Sequence, residues 1–83
     1  SQSVGYAAVA LGVIASANGK PLLVRDIASA GDIPAPYLAK LIHLLGRKGI
    51  VETQRGIGGG VVLKKKAEEL SLYDLCLLYD DPI

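Results

Sequence analysis

One cysteine, one histidine and no charged side chain before Lys20 mark this 83-residue chain. A single thiol builds neither a disulfide framework nor a cysteine-rich structural zinc site, and it demands no oxidising compartment. One His and one Cys, without a Gly-x-Ser-x-Gly, supply no nucleophile and base pair. Gly56-x-Gly58 lacks the third glycine of a dinucleotide fingerprint, since Val61 holds that position, and no Gly-Lys-Ser/Thr marks a P-loop. Catalysis is not expected. Long apolar runs are missing too. Val4 to Ala15 is twelve residues interrupted by Gly5 and Gly12, against the ~20 that span a bilayer. The chain opens Ser-Gln-Ser, without the basic region of a signal peptide. A buried helix in a cytoplasmic protein, with no membrane partner, is the expectation.

Charge is sparse at 20% of residues, and hydrophobic residues make up 51%. That composition offsets the entropy of ordering, so a folded domain is expected rather than disorder. The length is one small domain, which buries only about 60–65% of its unfolded surface. The apolar surplus in so short a chain points to a surface that meets a partner.

Tyr6, Val9, Ala10, Val13 and Ile14 recur at helical spacing, predicting a first helix over residues 3–17, and a helix apolar on both sides is expected to pack on two sides. Ala7, Ala8, Leu11 and Ala15 make its other side apolar as well, and Asn18-Gly19 ends it. After an extended link at Lys20–Leu23, Val24, Ile27 and Ala28 predict a two-turn helix to Ala30. Gly31-Asp32 forms a tight turn into a helix over Ala35–Lys48, opened by Pro34 and Pro36 and closed at Gly49. Two helices joined in this way are helix-turn-helix grammar. Ile50–Gln54 alternates as a half-buried strand does, and Val61-Val62-Leu63 resumes after a glycine-rich break, predicting a hairpin. Ser71 and Asp74 resemble a capping box for a last helix to Tyr79. The fold class is mainly α with a two-stranded β-hairpin, the winged helix-turn-helix layout, in a single domain over residues 1–83.

The near-neutral total conceals a polarised charge. Between Ile33 and Ala67 lie seven bases (Lys40, Arg47, Lys48, Arg55, Lys64, Lys65 and Lys66) and one acid, Glu52. That segment is +6 and the remainder −5, with five acids and no base in residues 68–83. A basic helix beside a basic hairpin is the footprint of a duplex DNA reader; a merely solvated face is the other explanation.

Ile33-Pro-Ala-Pro-Tyr-Leu-Ala-Lys-Leu41, Gly49-Ile-Val51 and Arg55-Gly-Ile-Gly-Gly-Gly60 resemble the IscR/NsrR-type bacterial transcription regulators. These include an iron–sulfur-cluster regulator, a nitric-oxide-sensitive repressor and a cysteine-metabolism repressor. Tyr6-Ala7, Arg25-Asp26-Ile27-Ala28 and Ser71-Leu-Tyr-Asp-Leu75 fit the same order, so the resemblance covers nearly the whole chain. It implies a homodimer on dyad-symmetric operator DNA, acting by occlusion or recruitment. The recognition helix, about residues 35–48, would enter the major groove and the wing, residues 55–60, the minor groove. It also implies a long dimerisation helix beyond Ile83, which would cover the second apolar side of the first helix. Ala39 and Lys40 stand where several members carry acidic and amide residues, so no operator sequence carries over. No cofactor is expected in this segment. The cysteines of cluster-binding members lie beyond it, and Cys76 alone, read as a small core residue, assigns no iron–sulfur cluster.

With Leu38, Leu41, Ile42 and Leu45 buried, the outward stripe is Ala35, Pro36, Ala39, Lys40, His43 and Arg47. Lys40 is placed to donate to guanine, and Ala35 or Ala39 to touch a thymine methyl. His43 fits either a base or phosphate contact or a solvated surface. Tyr37 fits packing, with its hydroxyl reaching a phosphate, and Arg47 a phosphate contact. Arg55 matches the family's wing arginine, which implies minor-groove insertion, where a narrow groove concentrates negative potential. Gly58, Gly59 and Gly60 serve the tight hairpin and, as a second role, close approach of backbone N–H groups to phosphate. The rival reading is a winged helix that docks protein through its apolar faces. It predicts binding insensitive to salt, whereas DNA binding falls steeply with salt.

Overall fold

The computed structural model describes residues 2–66. Gln2–Ser16 form α1, Val24–Gly31 α2, Ala35–Arg47 α3, Val51–Gln54 β1 and Gly60–Leu63 β2. Each boundary lies within a residue of its expected place. The expected last helix, with Cys76, falls outside the described residues.

α1 buries members of both of its apolar sets. Ala7, Ala10, Leu11 and Ile14 are buried, Tyr6 and Val13 are half-buried, and Val9 is 45% exposed. The reason is physical: a helix apolar all round contains two overlapping periodic sets, and its partners choose from both. Small side chains at Ala7 and Ala10 let the other elements approach closely, leaving Gly5, Ala8, Val9 and Gly12 outward. Asn18 (φ 52°) and Gly19 (φ 86°) end the helix in left-handed backbone, as the Asn-Gly pair predicts.

The turn between α2 and α3 departs from expectation. Gly31 is the last residue of α2, and the left-handed position is Asp32, at φ 52°. The Asp32 N–H donates to the Ser29 carbonyl at 3.4 Å and the Ile33 N–H to the Ala28 carbonyl at 2.9 Å. This is a Schellman closure, with Ile33 buried beneath it. Gly31 does not take a left-handed φ, and a side chain there would have to displace the ends of two neighbouring side chains. A Cβ there would stand 2.9 Å from Val9 Cγ1 and 3.1 Å from Ile33 Cδ1.

α3 starts from Pro34, whose carbonyl accepts from the Leu38 N–H at 2.9 Å. Its end repeats the same closure. Gly49 (φ 75°) donates to the Gly46 carbonyl at 3.0 Å and Ile50 to the Leu45 carbonyl at 3.0 Å. The buried Ile50 and Leu45 are thereby tied together, and the chain leaves directly into β1.

β1 and β2 pair antiparallel, with Val51 opposite Leu63 and Gln54 opposite Gly60. The link before α2 does more than connect. Leu22 and Val61 exchange two backbone hydrogen bonds, 3.1 and 2.7 Å long, making Leu22 a one-residue third strand. Ile27, Leu38, Leu41, Leu45, Ile50 and Val61 are fully buried at the centre, and no polar side chain is buried among the described residues. Burial of each such side chain is worth about 1.5–3 kcal/mol, so all three helices and the hairpin are held through one shared core.

Candidate nucleic-acid interface

The interface begins with the rotation of α3 about its axis. Leu38, Leu41, Ile42, Leu44 and Leu45 are buried, which leaves Ala35, Pro36, Ala39, Lys40, His43 and Arg47 all exposed, as expected. Tyr37 is half-buried. Its ring meets Tyr6 of α1 edge-on, with centroids 5.0 Å apart and planes at 61°. Such a pair contributes about 0.5–1.5 kcal/mol beyond its area. It fixes the first turn of α3 against α1, so the direction in which α3 leaves the body is set by packing.

Ala39, Ile42, His43, Gly46 and Arg47 form one wall of an open groove of about 480 Å³ whose other wall holds Thr53. Alternation along β1 accounts for Thr53. It lies two residues from the buried Val51 and so on the side of the strand that faces α3. The structure thus brings the three predicted residues Ala39, His43 and Arg47 together and adds a hydroxyl that the sequence reading passed over. The signal was present in the Val51/Thr53 alternation, but only the packing of α3 on β1 shows what stands opposite. Ala35, Pro36 and Lys40 extend the same stripe beyond the groove.

The wing joins β1 to β2 through residues 55–59. Arg55 is exposed at its base. Gly56 (φ 95°) and Gly58 (φ 78°) supply the left-handed positions. Gly59 and Gly60 carry a requirement that the sequence reading did not separate. A Cβ on Gly59 would collide with the Gln54 carbonyl oxygen, and its N–H already donates to the Gly56 carbonyl at 3.0 Å. A Cβ on Gly60 would stand 2.6 Å from the Leu22 carbonyl oxygen. Those two glycines are fixed by internal packing, whereas Gly58 is exposed and has open space around it.

The basic residues divide into two groups. Lys64, Lys65 and Lys66 do not join the α3 groove; they border a separate hollow of about 320 Å³ with Ala15, Asn18, Gly19 and Leu63, where the hairpin's base meets the end of α1. Among the described residues, no cluster of three or more His, Cys, Asp or Glu side chains is arranged to hold a metal ion. No helix among them is long and apolar enough to cross a membrane.

Three helices closed by a hairpin, with one helix presenting an uncovered stripe of small and basic residues beside the wing, define a winged helix-turn-helix domain. A family model described as Rrf2, iron-dependent transcriptional regulator, matches residues 1–83, and the chain belongs to that family. It is 35% identical over 81 residues to an HTH-type transcriptional regulator of Aquifex aeolicus, covering 98% of this chain and 56% of that protein. Among solved structures it is similar to IscR of T. potens, with a TM-score of 0.86 and 28% identity over 94% of this chain and 58% of that one. It is also similar to CymR, the global cysteine regulator of B. subtilis, with a TM-score of 0.85 and 26% identity over 100% of this chain and 65% of that one. These relatives are transcription regulators and not enzymes. The chain spans about half to two thirds of their length.

Proposed function

We propose that this chain is the operator-binding domain of a dimeric transcription regulator, with α3 in the major groove of duplex DNA and the wing at the flanking minor groove. The observation that carries the reading is the groove between α3 and β1. A helix in one groove and a wing in the next straddle a single sugar–phosphate strand, and that strand would run through the space bounded by Arg47, His43 and Thr53. Arg47 is the charged phosphate contact there and Thr53 a hydroxyl donor. Lys40 faces guanine edges, and Ala35, Pro36 and Ala39 offer apolar contact to thymine methyls. Arg55 enters the minor groove, Gly58 lets backbone approach a phosphate, and Tyr37 supports the helix start from which its hydroxyl faces the same strand. The homodimer, the dyad-symmetric operator and a cytoplasmic setting belong to the same proposal and are supported by membership of the regulator family.

An NMR titration of the chain with mixed-sequence duplex at about 50 and 200 mM salt tests this. Salt-sensitive shifts at residues 39–47 and 55–60 are expected. Shifts confined to α1, or none at low salt, would overturn it in favour of a protein-docking winged helix.

A further inference from the structure

The geometry points to Ile57 as a specificity-determining residue: an apolar blade that the wing inserts into the minor groove, selecting A·T over G·C pairs. This rests on the DNA-binding reading above. Three large hydrophobic side chains are exposed among the described residues, and Ile57, at a relative exposure of 110%, stands far beyond Val9 at 45% and Leu23 at 43%. It stands alone. Gly56 and Gly58 flank it with no side chains and nothing within 4 Å of where a Cβ would be, and Glu52 to Gln54 on the adjoining strand and Arg55 after it are exposed and polar or charged.

That isolation argues against a protein partner. A stable protein interface covers about 800 Å² per side, with apolar residues gathered at its centre, and the wing tip has only one. It suits a minor groove, which is about 6 Å wide and takes slender protrusions borne on bare backbone. The walls of that groove are deoxyribose C–H groups, against which an isoleucine loses water favourably. Its floor distinguishes the pairs. A·T presents only acceptors recessed along the groove, whereas G·C adds the guanine 2-amino group, a donor that an isoleucine would strip of water without replacing its hydrogen bond. Arg55, two residues earlier, responds to the groove's potential; Ile57 responds to the amino group.

The test uses the full chain and a duplex it selects from a random library, with the base pairs at the wing contact set to A·T, G·C or inosine·C. Inosine lacks the 2-amino group. Binding is measured by fluorescence anisotropy at about 50 and 200 mM salt. The wild-type chain is expected to bind A·T and inosine·C alike and G·C about tenfold more weakly. Ile57→Ser should lose about tenfold on A·T at both salt concentrations, with an unchanged salt slope, and prefer A·T by less than about twofold. Arg55→Ala should instead lower the slope by about one. Wild-type affinity and discrimination in Ile57→Ser would overturn the assignment, as would a change confined to self-association in sedimentation, which would make Ile57 a protein contact. A wild-type chain that binds no duplex at any salt would overturn the DNA reading itself.

Discussion

At the scale of single residues, the two Schellman closures make a natural comparison. One places glycine at the left-handed position, Gly49, and the other an aspartate, Asp32. Left-handed backbone costs an ordinary L-residue about 1–2 kcal/mol, less for Asp and Asn. A carboxylate in the last turn also opposes the helix dipole by about 0.3–1 kcal/mol. Glycine would remove both costs, offset by about 0.5–1 kcal/mol for its greater freedom in the unfolded chain. Asp32→Gly should therefore stabilise the domain by about 0.5 kcal/mol, and Asp32→Asn by a few tenths. Asp32→Val, β-branched, should cost about 1–2 kcal/mol. Urea denaturation midpoints in the order Gly, Asn, Asp, Val would bear this out; a valine as stable as the aspartate would refute the closure's role. The sequence pointed to a turn at Gly31-Asp32 and could not say which of the two bends. A glycine beside crowding side chains and a glycine at a left-handed φ look the same until Val9 and Ile33 are seen next to Gly31.

At the scale of elements, legibility followed contrast. α3 alternates leucines with polar and small residues, so its buried and exposed sides were readable before any neighbour was known, and the exposed stripe came out complete. α1 has no such contrast, and its core face was settled by α2, α3 and β2. The wing was legible as a hairpin, but the contact that anchors it was not. Leu22 lies some forty residues before its partner Val61, and one extended residue after a proline carries no strand periodicity. That contact makes the wing testable as an element. Gly60 has φ 152° and sits where a Cβ would meet the Leu22 carbonyl oxygen. Gly60→Ala should cost about 1–3 kcal/mol. Its mark is local: the Val61 amide, which donates to the Leu22 carbonyl at 2.7 Å, should lose protection from hydrogen exchange well before Leu41 does. Gly58→Ala provides the contrast. It meets no atom, so its cost should be limited to the backbone strain of φ 78°, about 1 kcal/mol, without selective loss at Val61. Equal losses at Val61 in both variants would show that the Leu22 bridge is not what seats the wing.

At the scale of the whole molecule, shape and charge together constrain how the domain meets a duplex. The body measures 34 × 26 × 19 Å, and its long dimension is close to the ~34 Å of one DNA turn. One copy can therefore engage one major groove and the minor groove beside it, and no more. Its exposed cations along that contact are few, with Lys40, Arg47 and Arg55 on α3 and the wing while Lys64 to Lys66 border a separate hollow. Each phosphate neutralised contributes about 0.9 to the logarithmic salt slope, so one copy should show a slope near two to three and bind weakly. Two copies on a dyad should double the slope, and their half-sites must then lie on one face of the helix. Phase supplies the sharper test. Inserting about 5 base pairs between half-sites turns one of them by half a turn to the opposite face, and about 10 restores the face while adding a turn of distance. The half-turn insertion should reduce affinity at least about a hundredfold and bring the slope back to the single-copy value. An operator indifferent to that insertion would mean that the two copies bind independently, and the dimeric reading would fall while the contacts of α3 and the wing stood.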